Sequence, residues 1–211
     1  MITIWGGATA RTLRPHWMLC ELGVEYEPKL IGSRTGETQS EAFVKLNVKE
    51  KIPVLVDDHL VLTESAAIVT YLGDTYGPDT GLVPKPYTPQ RAKYNEWSSY
   101  VQMELDAHTL YVIRKHRDLA SLYGDAPAAV DAAIEGFTKQ LRFADQGLDG
   151  REYLVGDAFT GADILLTSCL TWASAYGVEI SDTLQAYADR NTERDAFKRA
   201  AKLNFSISPG G

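Results

Sequence analysis

Cysteine is scarce. Cys20 and Cys169 are the only two in 211 residues, and neither belongs to a CxxC pair or a Cys/His cluster. A disulfide framework and a structural zinc site are therefore disfavoured, no metal is expected, and the usage suits a reducing compartment. Long hydrophobic runs are also missing, since no stretch approaches the roughly 18 apolar residues of a membrane-spanning helix. The opening Met1-Ile2-Thr3-Ile4-Trp5 has no basic region followed by an apolar one and does not read as a secretory leader. A cytoplasmic protein is expected. Positive charge is in deficit, with 21 Lys and Arg against 28 Asp and Glu and a net charge of −7. Nucleic acid and anionic membranes both require clustered basic residues, so neither is an expected partner. A small anion held by a few local donors remains compatible with this balance.

What is present points to a packed protein in two parts. Hydrophobic residues make up 45% and charged residues 23%, close to the globular average. Up to residue 77, short β-rich pieces alternate with helical ones. Ile2-Thr3-Ile4-Trp5 reads as a strand, 13–22 as a helix stopped by Gly23, and 26–31 as a second strand. Residues 40–46 suggest a short helix. Val54-Leu55-Val56 and Leu60-Val61-Leu62 flank Asp57-Asp58-His59 as a hairpin. The segment 65–76 places Ile68, Tyr71, Leu72 and Thr75 at helical spacing before Gly77-Pro78. A βαβ unit joined to an antiparallel hairpin, with helices on the sheet, is a thioredoxin-like arrangement. Residues 78–88, with Pro78, Gly81, Pro84 and Pro86, read as a linker. Over 89–211 strand signals fade, and helices are expected at 90–117, 126–148, 162–175 and 181–202, with a loose tail or short lid at 206–211. The fold class is thus an α/β thioredoxin-like N-terminal domain (1–77) followed by an all-α domain (89–211).

Within this frame, Lys51-Ile52-Pro53-Val54-Leu55, then Leu62-Thr63-Glu64-Ser65, then Ile68 and Tyr71-Leu72, resemble the core signature of the cytosolic glutathione transferases. The resemblance implies a cis Ile52-Pro53 bond whose Ile52 backbone meets the cysteinyl part of glutathione like an added strand. It assigns the γ-glutamyl carboxylate to Ser65 at a helix start, where free N–H groups attract an anion, and the ammonium group to Glu64. Lys51 is a candidate for the glycyl carboxylate, its alternative being a solvated loop lysine. Phe159-Thr160-Gly161-Ala162-Asp163 reads as a capping box with a hydrophobic staple, Phe159 packing on Ile164, a device that in this family supports folding. Trp97, Tyr100 and Glu104-Leu105 also resemble the first long helix of bacterial members. Glu104 is either a solvated acidic side chain or a group reaching glutathione on a neighbouring subunit of a two-fold homodimer.

The chemistry implied is thiol activation, because thiolate is the nucleophile and a free thiol near pKa ~8.5 is mostly protonated. Family members use a Tyr, Ser or Cys after the first strand. Here Gly6-Gly7-Ala8-Thr9-Ala10-Arg11-Thr12 has none of these. Aligned through Arg14 and Glu21-Leu22-Gly23, Thr9 falls where some classes carry a catalytic hydroxyl. A Ser-Arg-x-x-Arg register would put the hydroxyl at Ala10, and a cysteine register would put it at Arg11. Thr9 is therefore the candidate donor to the thiolate, with a plain loop threonine as its alternative. Arg11 offers a fixed charge near sulfur or a surface ion pair. Thr12 is expected to cap the first helix, with Pro15 in its first turn. Cys20 and Cys169 read as structural thiols.

Glutathione is the expected cosubstrate and a small hydrophobic electrophile the expected second substrate, with peroxide or disulfide reduction left open. The alternative is a non-catalytic ligand-binding or regulatory protein on the same fold. Tyr100, His108, Tyr111, Arg114 and Phe205 are candidate lining residues of the second pocket.

Overall fold

The computed structural model describes residues 1–208; of the tail expected at 206–211, the last three residues lie outside the described residues. Contacts divide the chain into two compact units, Met1–Val83 with the segment from Glu193 onward, and Pro84–Thr192.

The first unit is built on four strands, β1 (Ile2–Trp5), β2 (Glu27–Lys29), β3 (Val54–Asp57) and β4 (Leu60–Thr63), in the order β2-β1-β3-β4. β1 runs parallel to β2, pairing Thr3 with Glu27, and antiparallel to β3, pairing Ile4 with Leu55. β3 and β4 form the hairpin expected from sequence, turning at Asp58-His59 with Asp58 at φ 50°. Helices α1 (Ala10–Leu22), α2 (Glu41–Leu46) and α3 (Ser65–Tyr76) complete the thioredoxin-like unit. Trp5, Ile31, Phe43, Ile52 and Val54 pack as one apolar cluster under the Ile52-Pro53 turn. The second strand is shorter than the six residues the sequence suggests, because only Glu27–Lys29 finds ladder partners.

In the second unit α4 (Pro89–Tyr100) runs on through a π-helical stretch, Val101–Leu110, a single α turn α5 (Tyr111–Ile113) and a second π-helical stretch, Arg114–Asp118. The continuous rod expected over 90–117 is thus one helical path with altered winding. There the Thr109 hydroxyl bonds back to the carbonyls of Leu105 and Glu104, and side chains that enter the backbone ladder in this way disturb regular winding. After α6 (Ala120–Tyr123), α7 (Pro127–Gly147) buries Val130, Ala133, Phe137, Leu141 and Ala144, spaced three or four apart. α8 (Gly161–Ala175) is buried along most of its length, and α9 (Asp182–Thr192) follows.

The single helix expected over 181–202 is instead two, α9 and α10 (Asp195–Asn204), broken at Arg194, whose backbone is extended at φ −61° and ψ 135°. A long-range ion pair accompanies the break: Arg194 Nε and Nη2 grip Glu21 Oε1 and Oε2 at 2.6 and 2.8 Å. Glu21 also accepts from Trp17 Nε1 at 2.9 Å. Next to this pair Phe197 meets the Trp17 ring edge-on, centroids 4.8 Å apart. α10 thereby packs on α1 in the first unit.

Candidate functional site

Three chain segments of the first unit converge beside the Ile52-Pro53 bond, which is cis. The first is the β1–α1 connection. Its Gly6 sits at φ 125°, and a Cβ there would lie 2.6 Å from Thr12 Cγ2 and 2.8 Å from Ile52 Cβ. Only glycine allows the loop to lie this close to Ile52. Ala8 adopts φ 61°, a left-handed conformation uncommon for a residue with a side chain.

Helix α1 begins one turn earlier than the sequence suggests. Thr9, not Thr12, is the cap: Thr9 Oγ1 accepts from Thr12 N at 3.1 Å, and Thr12 Oγ1 accepts from Thr9 N at 3.1 Å. This reciprocal box satisfies two donors of the helix start. Pro15 consequently lies inside the helix, where it removes one backbone bond. The two hydroxyl oxygens are 2.9 Å apart. Thr9 is half-buried at the open end of α1, where the aligned peptide dipoles give partial positive charge. Arg11, also half-buried, follows in the first turn.

The second segment is the loop before β3. Asn47 Nδ2 donates to the Lys51 carbonyl at 2.7 Å, and Asn47 Oδ1 accepts from Lys49 N at 3.2 Å. These bonds shape the approach to Ile52, which is buried, while the Lys51 side chain is exposed.

The third segment is the start of α3. Glu64 stands at φ 67° and ψ 109° and leaves the helix without a side-chain cap, so the first-turn N–H groups stay available to an anion. Its carboxylate is exposed and accepts from Lys49 Nζ at 2.6 Å; the same ammonium donates to Thr63 Oγ1 at 2.8 Å. Ser65 is buried, and its hydroxyl accepts from Arg14 Nη1 at 3.0 Å. That bond joins α1 to the start of α3.

Sequence reasoning missed Arg14, Lys49 and His16. Arg14 and His16 are fully buried among Leu13, Trp17 and Met18, and charged or titratable residues on an apolar helix face were the available signal. His16 Nε2 lies 3.0 Å from the Gly6 carbonyl and Nδ1 lies 2.7 Å from Tyr26 Oη. A carbonyl can only accept, so Nε2 carries the proton and Nδ1 accepts from Tyr26. Burial holds the His16 pKa below the usual imidazole value.

Glu104 belongs to the second unit, where its carboxylate accepts from Gln140 Nε2 at 3.3 Å. That unit contains a cleft of about 690 Å³ lined by residues including Lys93, Trp97, Phe143, Gln146 and Arg151. Tyr100, His108, Tyr111, Arg114 and Phe205 are not among its lining residues; Tyr100 instead donates to the Gln140 carbonyl at 2.6 Å. The Phe159–Asp163 segment forms its box: Asp163 Oδ2 accepts from Thr160 N at 2.7 Å and Thr160 Oγ1 at 2.9 Å. Asp163 Oδ1 accepts from Leu154 N at 3.0 Å and Tyr187 Oη at 2.7 Å.

Cys169 is buried and Cys20 half-buried, its thiol pushed up by burial. Among the described residues no group of three or more His, Cys, Asp or Glu could hold a metal ion, and no helix is long and apolar enough to cross a membrane.

Models of the glutathione S-transferase N-terminal domain and C-terminal domain match residues 1–74 and 99–195. Glutathione S-transferase GST-4.5 of Xanthomonas campestris pv. campestris is 31% identical, with 86% of this chain and 88% of that protein covered. A glutathione transferase from Methylococcus capsulatus str. Bath superposes with a TM-score of 0.84 at 27% identity, covering 98% of this chain and 100% of that one. The theta class glutathione S-transferase of Xanthomonas axonopodis pv. citri, solved with glutathione bound, gives a TM-score of 0.81 at 28% identity over 97% and 99% of the two chains. Matched by both domain models in order, and by a relative at 31% identity along most of its length, the chain belongs to the glutathione S-transferase family.

Proposed function

We propose that the protein binds glutathione and activates its thiol for attack on a small hydrophobic electrophile. The observation that carries this reading is the convergence of the α1 N-terminus, the Ile52 backbone and the α3 N-terminus in one unit, with Arg14 fixing Ser65. On this reading the γ-glutamyl carboxylate sits on the first-turn N–H groups of α3 and the Ser65 hydroxyl, and the ammonium group on Glu64. The cysteinyl backbone pairs with Ile52, whose orientation the cis Pro53 sets. Lys51 meets the glycyl carboxylate, and the sulfur comes to the α1 N-terminus.

Thr9 is the proposed hydroxyl donor. Its oxygen accepts from Thr12 N, which leaves its proton free to turn from Thr12 Oγ1 to a sulfur. Arg11 adds positive charge there. The thiol proton leaves to solvent, the thiolate forms a C–S bond with the electrophile, and the leaving group departs with the displaced electron pair. With a disulfide the same thiolate forms a mixed disulfide and expels the other sulfur as thiolate. The working form on this reading is a cytoplasmic two-fold homodimer in which Glu104 approaches the partner's glutathione.

A second reading, glutathione binding without activation, is favoured by the position of Thr9 Oγ1 inside the capping network. One titration separates the two. Thiolate absorbance of bound glutathione is followed from pH 5 to 9 in wild type, Thr9→Ser and Thr9→Ala. Activation requires a bound pKa below the free value of about 8.5, retained by Ser and raised by Ala. Saturable binding with no shift in wild type selects the second reading, and no binding at all defeats both.

A further inference from the structure

Helix α10 carries a buried stripe four residues apart, Ala196, Ala200 and Asn204. The third member breaks the apolar pattern with a fully buried amide. A buried amide is costly unless it is hydrogen-bonded, and here one donor and the acceptor are used on one target, the turn from Thr9 to Thr12. Thr12 Oγ1 donates to Asn204 Oδ1 at 2.7 Å, and Asn204 Nδ2 donates to the Thr9 carbonyl at 3.1 Å. The Asn204 carbonyl accepts from Ala8 N at 2.6 Å. The Thr9 carbonyl can only accept, so the amide has one orientation and Oδ1 must face Thr12. A Cβ on Gly7 would come within 3.2 Å of the Asn204 carbonyl oxygen and 3.0 Å of Ile207 Cδ1, so the end of α10 and the residues just after it lie close against the loop at Gly7.

Two consequences follow for Thr9. Ala8 holds a left-handed φ of 61°, a conformation that costs roughly 1–3 kcal/mol and persists only where neighbours enforce it. Its N–H is fixed by the Asn204 backbone carbonyl, a bond that any residue at this position would make. The single proton of Thr12 Oγ1 has its shortest acceptor in Asn204 Oδ1. Drawn there, that proton leaves Thr12 Oγ1 as acceptor for Thr9 N and as an optional acceptor for the Thr9 hydroxyl. Without the Asn204 amide the Thr12 proton would turn to Thr9 Oγ1 or the Thr9 carbonyl, and that carbonyl would lose its amide donor, so the backbone carrying the Thr9 hydroxyl would lose its anchor on α10.

We propose that Asn204 is a positioning residue for thiol activation: from α10 its side chain holds the Thr9 carbonyl and the Thr12 hydroxyl, and so fixes the backbone that presents the Thr9 hydroxyl to the bound sulfur. This rests on the reading of Thr9 given above, and it makes a side chain 195 residues away from Thr9 in sequence part of the activating apparatus without touching substrate.

The test is the same thiolate titration, on wild type, Asn204→Ala and Asn204→Asp with glutathione as the probe, alongside the glutathione dissociation constant and a thermal melt. Asn204→Asp keeps the size and the acceptor for Thr12 but replaces the donor to the Thr9 carbonyl with an oxygen, so it carries the test if the alanine variant does not fold. Both variants are expected to raise the titration midpoint of bound glutathione by about one pH unit or more, a tenfold smaller thiolate fraction at fixed pH. The dissociation constant, set at Ile52 and Ser65, is expected to stay within about threefold. A purely structural role would lower the melting temperature and leave the midpoint of the folded protein where it was; that result overturns the proposal while leaving the function standing. A wild type whose bound thiol titrates at the free value overturns both.

Discussion

Replacing Asp163 with asparagine changes no volume and removes one charge, yet the structure assigns it a definite cost. Each carboxylate oxygen accepts one backbone N–H and one hydroxyl: Thr160 N and Oγ1 on Oδ2, Leu154 N and Tyr187 Oη on Oδ1. The site is fully buried, and burial pushes the carboxyl up while these four donors pull it down. In Asp163→Asn an amide NH₂ must occupy one of the two positions. The hydroxyls of Thr160 and Tyr187 can rotate to accept from it, but a backbone N–H cannot. In either orientation one backbone donor, of Thr160 or of Leu154, is left facing another donor. An unsatisfied buried donor costs about 1–3 kcal/mol, so a central value near 2 kcal/mol should lower the melting temperature by roughly 4–8 °C for a protein of this size. Asp163→Ala takes the acceptor from all four donors, orphaning the two backbone N–H groups, and opens a cavity, and should cost about 4 kcal/mol or more. Tyr187→Phe removes one donor of four and should cost about 1 kcal/mol. Urea unfolding followed by tryptophan fluorescence checks the series. An asparagine variant within about 0.5 kcal/mol of wild type would refute the donor count on which the argument rests.

Two further perturbations test the first unit. His16 is held neutral by burial with its pKa below the usual 6.5. Between the depressed folded value and 6.5 the unfolded chain binds more protons, so this contribution is complete above pH 6.5 and is lost as pH falls through the folded pKa. His16→Asn should reduce the loss of stability on acidification by up to about 1.4 kcal/mol per pH unit within that window; urea midpoints that fall in parallel for variant and wild type between pH 7.5 and 5 would show that His16 does not contribute. Glu64 holds φ 67°, so Glu64→Gly should relieve strain and stabilise by about 1 kcal/mol after loss of the exposed Lys49 pair, while weakening glutathione binding. A variant that is less stable, by thermal melt, would place no strain at Glu64.

The parts legible in sequence are those whose cause is local. Asp57-Asp58-His59 between two apolar triplets reads locally as a hairpin connection, and β3 and β4 pair around it, with Asp57 joining the ladder. Glu64-Ser65 ahead of an apolar periodicity marked the start of α3, and Thr160 with Asp163 marked that of α8. The illegible parts are set by distant partners. Nothing near Arg194 announces a break between α9 and α10, because its partner Glu21 lies 173 residues earlier. Thr12 is expected as the cap where Thr9 is one, because both fit the local rule; Asn204 engages the carbonyl of one and the hydroxyl of the other. Arg14 did leave a trace, a charged residue on an otherwise apolar helical face, whereas Asn204 lies past the end of the helix expected over 181–202.

The division of the chain also has a consequence in time. Residues 84–192 are spelled out between the two pieces of a single folded unit, and the Thr12–Asn204 hydrogen bond spans 192 positions. At roughly 5–20 residues per second on the ribosome, about 10–40 s separate the synthesis of those two side chains. Once residue 63 has been made, the thioredoxin-like sheet has all four strands while Gly7 to Thr12 still lacks the amide that holds it. A nascent or truncated product stopping before α10 would thus carry an unclosed loop, and the segment proposed to activate the thiol would be completed only by translation past residue 204.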